Sequence, residues 1–576
     1  MPVHNEDIAV IFDEMADLLE IEEANPFRVR AYRNAARTVR GLGRDLGDMV
    51  AAGEDLTALP GIGKDLAAKI EEILKTGSAG ALKKLHKEVP ASLEDLLKIP
   101  GLGPKRVRAL YQQLGIKTLK QLEKAVRAGT VRELEGFGAK TEQSIQEAIA
   151  AHRTEKKKRF LHSVARQYAQ PLTEYLRNQK GVKQVVVAGS YRRGKETVGD
   201  LDILVAQGAR SDVMNAFVDY DEVAKVVSQG ATRSTVILRS GLQVDLRLVD
   251  EDSYGAALHY FTGSKAHNIQ IRRRGQQRGL KINEYGVFRG DKRVGGRTED
   301  SVFKAVGLSA IPPELREGHG EIEAAEKGDL PRLVELAELR GDLHVHTNAS
   351  DGHASAAQMV EAARAQGLSY LAITDHSRRL TVAHGLDTKR LRAQLAQIDV
   401  LNANLKGFTV LKGIEVDILE DGRLDLPDEV LAELDLVIGA VHSHLGLAER
   451  EQTERVLRAM DQRYFTMLAH PGGRLLQQRE PCALDMARIV EQARQRGCFL
   501  ELNSQPQRLD LTDVYCQLAK AEGVLVSINS DAHRTEDFAD LGGGISQARR
   551  GWLESADVLN TRPRTRLRKL LRRTMG

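Results

Sequence analysis

The chain has 576 residues, 42% apolar and 28% charged, a balance that excludes disordered and fibrous proteins and, at this length, predicts several domains. Its net charge of +4 is uneven: residues 1–152 carry 22 basic against 23 acidic side chains, residues 153–300 carry 27 against 17, and residues 301–576 carry 35 against 40, so a polyanion is expected on the middle segment. There is no apolar run of the roughly 18–20 residues a membrane span needs, no secretory leader, and no CxxC pair among Cys482, Cys498 and Cys516, which together predict a reduced, cytoplasmic protein without membrane contact.

One pattern recurs three times near the start: Leu59-Pro-Gly-Ile-Gly-Lys64, Ile99-Pro-Gly-Leu-Gly-Pro104 and Leu134-Glu-Gly-Phe-Gly-Ala139. Each lies between helix-like stretches. The pairs Gly61 and Gly63, Gly101 and Gly103, and Gly136 and Gly138 permit a tight turn. The helix that follows then offers free backbone N–H groups to a phosphate. The pattern resembles the helix-hairpin-helix, which grips the DNA backbone without reading its sequence.

Asn25-Pro-Phe-Arg-Val-Arg-Ala-Tyr-Arg33 and Ala67-Ala-Lys-Ile-Glu71 further resemble the small lyase domain of DNA polymerase β. The resemblance puts Lys69 where that family forms a Schiff base with a deoxyribose 5′-phosphate, which requires an unprotonated amine. Asp65 and Ala68 stand where the family has Lys and Glu, so a lysine that only contacts phosphate is the expected role.

Val185-Val-Val-Ala-Gly-Ser-Tyr-Arg-Arg-Gly-Lys-Glu-Thr-Val-Gly-Asp-Leu-Asp-Ile-Leu-Val205 predicts a strand, a Gly-Ser turn opening a helix, and a second strand. On that second strand Asp200 and Asp202 face the same way. Asp245 lies on a further strand, Leu242-Gln-Val-Asp-Leu-Arg-Leu-Val249. Three converging carboxylates need a neutralising cation, and two-metal phosphoryl transfer with Mg²⁺ or Mn²⁺ is the chemistry such a trio serves. Gly-Ser followed by Asp-x-Asp resembles the nucleotidyltransferase superfamily, which implies Gly189, Ser190, Arg193 and Gly199 as triphosphate contacts.

His259-Tyr-Phe-Thr-Gly-Ser-Lys-Ala-His-Asn-Ile-Gln-Ile-Arg272 resembles the nucleotide-binding motif of family X DNA polymerases. That implies Tyr260, Phe261 and Gly263 against the incoming nucleotide, Asn268 in the minor groove and Arg272 on the templating side. Val198 departs from the triphosphate-binding serine of the better-known animal enzymes. The implied order is a lyase-like domain (1–82), fingers (83–155), palm (156–251) and thumb (252–315), then a linker (316–337).

From residue 338 to 576, short apolar strands near 341–347, 370–375, 408–418, 434–441, 465–469, 498–503 and 524–529 alternate with helical patterns, which predicts a (β/α)7 barrel. Catalysis in such barrels sits at the C-terminal ends of strands. There the chain carries His344, His346, Asp351, His376, Glu415, His442, His470, Asp531 and His533. Imidazoles with carboxylates suit Mn²⁺, Zn²⁺ or Fe²⁺, and nine ligands suffice for up to three ions. The set resembles the PHP (polymerase and histidinol phosphatase) domain, which implies phosphoester hydrolysis. His353, His384 and His444 read as surface residues, and the basic end, Arg562 to Arg573, as the barrel's solvated last helix.

The whole resembles the bacterial family X DNA polymerases, DNA polymerase β-like enzymes, with a C-terminal PHP domain. The expected architecture is multidomain: all-α helix-hairpin-helix domains, an α+β nucleotidyltransferase palm and thumb, and the barrel. The resemblance implies DNA repair synthesis on gapped or primed DNA from deoxynucleoside triphosphates. It also implies a 3′→5′ exonuclease, with 3′-phosphatase or AP endonuclease action as alternatives, in a chain read as a monomer. A small-molecule nucleotidyltransferase fused to a histidinol-phosphatase-like enzyme is opposed by the three hairpins and by Tyr-Phe-Thr-Gly-Ser.

Overall fold

The structure, a computed structural model, describes residues 5–22, 24–40, 46–59, 61–88, 93–97, 99, 102–134, 136–154, 159–207 and 211–575. Gly101, the motif residues Pro60, Pro100 and Glu135, and the expected boundary at 155/156 lie outside them. The chain divides into two compact units, Met1–Lys158 and Arg159–Gly576. No helix among the described residues is long and apolar enough to cross a membrane.

The first unit is helical. In the helix Asn5–Ile21, Ile8, Phe12, Met15 and Leu19 recur at helical spacing and are all buried. They pack on Pro26–Arg40, where Phe12 meets Tyr32 edge-on and Arg33 reaches Asp13, Asp17 and Glu20. In each Gly-x-Gly the middle residue (Ile62, Leu102 or Phe137) plugs this core, leaving the described glycines exposed. Single 3₁₀ turns, Leu56–Ala58 and Val131–Glu133, precede the first and third hairpins where helices were expected.

The second unit begins with a five-stranded sheet ordered Val182–Val187, Asp200–Gln207, Gln243–Asp250, Arg233–Leu238 and Val223–Gln229. Alternation assigns its faces. Leu201, Ile203, Val205, Val244, Leu246 and Leu248 pack under the helices His162–Arg177 and Val213–Val218. The opposite face carries Leu204 and Val249 against Ala257 and Leu258 of the helix Tyr254–Thr262. Asp200, Asp202, Asp245 and Arg247 share that second face.

Beyond it lie the helices Lys265–Gln277 and Glu299–Ala305 and a three-stranded antiparallel sheet. The stretch 316–337, expected as a linker, is packed. It holds the helix Glu321–Lys327, and Ile322, Ala325 and Leu333 join Val302 and Phe303 in one core because its apolar residues cover an apolar face of the thumb.

Seven parallel strands then follow in sequential order, from Gly341–Val345 to Val526–Asn529. Each is shorter than its apolar run. A bridge between Val345 and Ala532, with the His346 amide donating to the Ala532 carbonyl at 2.9 Å, draws the edges together. Leu567 and Leu571 of the last helix, Arg564–Leu571, pack with Leu343 and Tyr370 at the barrel's other end.

Candidate active sites

The strands Asp200–Gln207 and Gln243–Asp250 run parallel with Asp202 directly opposite Asp245. Asp200, two residues earlier, shares the face. Burial, with repulsion from Asp200 and Asp245, pushes the Asp202 carboxyl up to about 6 despite Arg247 and Arg193. Acids crowded so that one resists ionising are a donor set that fits divalent cations. Asp245 is oriented by Thr235 Oγ1 at 2.5 Å, Gln243 Nε2 at 2.7 Å and Arg233 at 3.3 Å. Gly189 has φ of 61°, and a Cβ there would run into the Asp202 carboxylate; only glycine satisfies both constraints.

The helix that the Gly-Ser turn opens is a single turn, Gly189–Arg192, so its backbone N–H groups rather than a long dipole are what Ser190 can offer an anion. Arg193 donates to Glu317 at 3.0 Å and to the Thr262 carbonyl at 2.5 Å. Gly199 lies on the loop just before Asp200, and Val198 is fully buried.

Tyr260 and Phe261 form an edge-on pair with centroids 5.1 Å apart, and Arg247 lies 4.2 Å over the Phe261 ring. Gly263 ends their helix with φ of 65°, leading to Ser264, which caps the next helix. Asn268 donates to the Tyr260 carbonyl at 2.7 Å, and its buried Oδ1 is left without a partner among the described residues. Arg272, one turn on, is exposed.

Sequence reasoning missed what braces this corner. Glu299 accepts two bonds of 2.8 Å from Arg192 and one of 2.5 Å from Arg316, which is 2% exposed. Burial opposes its charge, but the two guanidinium groups hold its carboxyl at about 2.

In the barrel, eight of the nine expected ligands gather into three contiguous groups, each with ligand atoms within 4.8 Å of one another. These are His346, Asp351, His376 and His533; His344, His346 and Asp531; and His376, Glu415 and His442. His470 lies beside them, 3.2 Å from Glu415. The cleft above is about 340 Å³.

Burial disfavours the charge on His376, yet Glu415 and Asp351 lift it to about 10; His442 and His533 are likewise raised to about 9. Burial with His533 and His376 nearby pushes His346 down to about 4. Glu415 and Asp531 are held well below the usual carboxylate range by the imidazoles around them, against burial. Nitrogens of His344, His346 and His376, with Glu415 Oε2, are buried without a hydrogen-bond partner among the described residues. Orphaned imidazole nitrogens converging on carboxylates fit metal ions.

A ring of residues behind these ligands was also missed. Glu501 takes His344 Nδ1 at 2.7 Å and the His470 amide at 2.8 Å, and Asp417 lies 3.3 Å from His442 Nδ1. Asn503 donates to Asp531 at 3.0 Å. The legible signal was the alternation of Glu501 and Asn503 with apolar residues in the buried strand Phe499–Asn503. His353, His384 and His444 are exposed and line no part of the cleft.

Gly61 and Gly136 have positive φ, and Gly63 and Gly103 are the first caps of the helices Lys64–Thr76 and Pro104–Leu114. Gly138 accepts from the Glu142 amide at the start of Ala139–Thr154. Lys69 pairs with the Asp65 carboxylate one turn earlier.

Five family models match the chain: a helix-hairpin-helix domain over 3–79, a SAM-like helix-hairpin-helix tandem over 93–151, the DNA polymerase β palm over 160–262, the DNA polymerase β thumb over 257–317, and the PHP domain over 342–505. The chain is 39% identical over 565 residues to the DNA polymerase/3′-5′ exonuclease PolX of Bacillus subtilis, covering 97% of this chain and 98% of that one. A probable phosphatase of Acetivibrio thermocellus is 31% identical over 202 residues, 33% of this chain and 78% of the relative. One from Caldanaerobacter subterraneus is 29% identical over 204 residues, 33% and 75% respectively.

Proposed function

We propose, for a chain that belongs to the family X DNA polymerases carrying a PHP domain, that residues 1–315 fill short gaps in DNA and that residues 338–576 trim its 3′ ends. It is a DNA-directed DNA polymerase with a PHP 3′→5′ exonuclease. The observation that carries this reading is the presence in one chain of an acidic trio on a palm-like sheet and, around a barrel cleft, eight clustered metal-type ligands with His470 beside them.

Asp200, Asp202 and Asp245 would hold two Mg²⁺ or Mn²⁺ ions, which stabilise charge on the transferring phosphoryl group and on the attacking and leaving oxygens. The chain's own residues do the rest. Gly189, Ser190, Arg193 and Gly199 bind the triphosphate through backbone N–H groups and a guanidinium. Tyr260, Phe261 and Gly263 flank sugar and base, with Arg247 holding the Phe261 ring in plane. Asn268 keeps its amide nitrogen on Tyr260 and so presents a free acceptor toward the base edge. Arg272 lies on the templating side. The hairpin glycines hold gapped or primed DNA by its phosphates, while Lys69, ion-paired, contacts phosphate without lyase chemistry.

In the barrel, His344, His346, Asp351, His376, Glu415, His442, His470, Asp531 and His533 would hold up to three Mn²⁺, Zn²⁺ or Fe²⁺ ions, which supply a nucleophile at neutral pH and clamp the phosphate. Glu501 and Asp417 fix the rings of His344 and His442, as carboxylates behind metal-bound imidazoles do.

The test uses a one-nucleotide gap and a single-stranded 3′ end. Asp202→Ala is expected to abolish extension and spare trimming, and His344→Ala or Asp531→Ala to do the reverse. One substitution removing both activities overturns the assignment of independent sites. The resemblance of the barrel to probable phosphatases favours a second reading, removal of a 3′-phosphate, and a 3′-phosphorylated gap in the same assay decides between them.

A further inference from the structure

After the strand Phe499–Asn503 the chain makes a loop that forms one wall of the barrel cleft. Gln505 donates to the Asp531 carbonyl at 3.0 Å, and Arg508 lies 3.9 Å from the Asp531 carboxylate and 3.3 Å from Gln505 Oε1. Arg508 is the one arginine or lysine among the described residues on that wall. A phosphodiester entering a cleft lined mostly by acids and imidazoles meets it as the fixed side-chain cation.

The loop closes on itself, with the Arg508 and Leu509 amides donating to the Gln505 carbonyl at 2.8 and 3.0 Å and Asn503 bridging Asp510, and it is also gripped from outside. Leu509 sits at φ of 43°, a left-handed conformation that a leucine keeps only when its surroundings impose it. The grip from outside is Arg474, whose Nε donates to the Arg508 carbonyl at 2.9 Å while Nη2 donates to the Leu509 carbonyl. Carbonyls bind a guanidinium but do not neutralise it, and Arg474 is largely buried. Among the described residues, the one carboxylate within 4.0 Å of Arg474 comes from the palm: Glu196, at 2.5 and 3.3 Å. Gln547 adds a second strut, donating to Glu196 at 2.8 Å and to the Leu511 carbonyl at 3.3 Å. Glu196 itself lies in the palm loop between Arg193 and Gly199, anchored where its carbonyl accepts from the His162 amide at 2.9 Å.

We infer that Glu196 of the polymerase palm is a positioning residue of the phosphoesterase cleft: it completes Arg474, which locks the loop presenting Gln505 and Arg508 to the substrate phosphate. The barrel's grip on its substrate is therefore finished by the neighbouring domain. The inference rests on the barrel being the phosphoesterase.

The test uses the full chain with Glu196→Gln, which keeps shape and loses charge, together with Glu196→Asp and Arg474→Lys. On single-stranded DNA 3′ ends, Glu196→Gln and Arg474→Lys are expected to raise KM about tenfold, as the phosphate cation drifts by a fraction of an ångström, with kcat within about threefold. Glu196→Asp restores most of the affinity, and gap filling stays within about twofold of the parent. KM values within about twofold of the parent for both variants overturn the inference. So does a parallel loss of kcat, gap filling and unfolding temperature, which would mark a merely structural ion pair. His344→Ala separates the two levels. If it leaves trimming intact, the barrel is not the phosphoesterase and both readings fall. If it abolishes trimming while Glu196→Gln changes nothing, only the positioning role falls.

Discussion

Asp202→Asn is the most direct test of the acidic trio. In the folded chain the Asp202 carboxyl titrates near 6, above the ordinary 3.8 of the unfolded state, because burial and then Asp200 and Asp245 oppose its charge. A folded value above the unfolded one means that the native state binds the extra proton, so ionisation costs stability. The cost is absent below about pH 3.8, grows between 3.8 and 6, and is complete above 6. A displacement of about two pH units, at about 1.36 kcal/mol each, amounts to roughly 3 kcal/mol.

Asp202→Asn removes that cost. With divalent ions chelated, the variant is expected to resist urea by about 3 kcal/mol more than the parent at pH 8, and by nothing at pH 4. Added Mg²⁺ should stabilise the parent by mass action and leave the variant nearly unmoved, while gap filling is lost. Equal stability of parent and variant at pH 8, or an advantage that does not fade toward pH 4, would refute the argument that the three carboxylates repel one another on a shared face.

Two further substitutions probe the supports. Glu299→Gln strands Arg192 and the buried Arg316, and chemical denaturation should register a loss of about 3–5 kcal/mol at pH 7. Burial opposes the Glu299 carboxylate, but the arginines hold it at about 2, below the ordinary 4.5, so this contribution is present above 4.5 and fades as pH falls through 2. Glu501→Gln loosens His344 and should weaken Mn²⁺ or Zn²⁺ binding at the barrel about 10–100-fold in a titration with a competing chelator, with gap filling unchanged. Unaltered metal affinity would remove Glu501 from the support of the site.

Chemistry in this chain was legible wherever it obeys local periodicity. Asp200 and Asp202 declared themselves because strand alternation puts i and i+2 on one face, and the barrel ligands because histidines and acids recur at the ends of apolar runs. Glu501 and Asp417 escaped because a polar residue on a buried strand does not by itself say what it holds; its role is defined only by the ring behind which it sits. The stretch 316–337 read as a linker from its polar composition, although its few apolar residues pack into the thumb core.

Residue types and their local order therefore settled which reactions this polypeptide is equipped for, since donor chemistry and element periodicity are properties of neighbours in the chain. Folding alone set Asp245 opposite Asp202, locked Glu299 between Arg192 and Arg316, and brought Glu196 to Arg474 across 278 positions. Such pairings are chosen by the packing of distant elements, where burial, charge and shape are balanced together, and no stretch of sequence contains both partners.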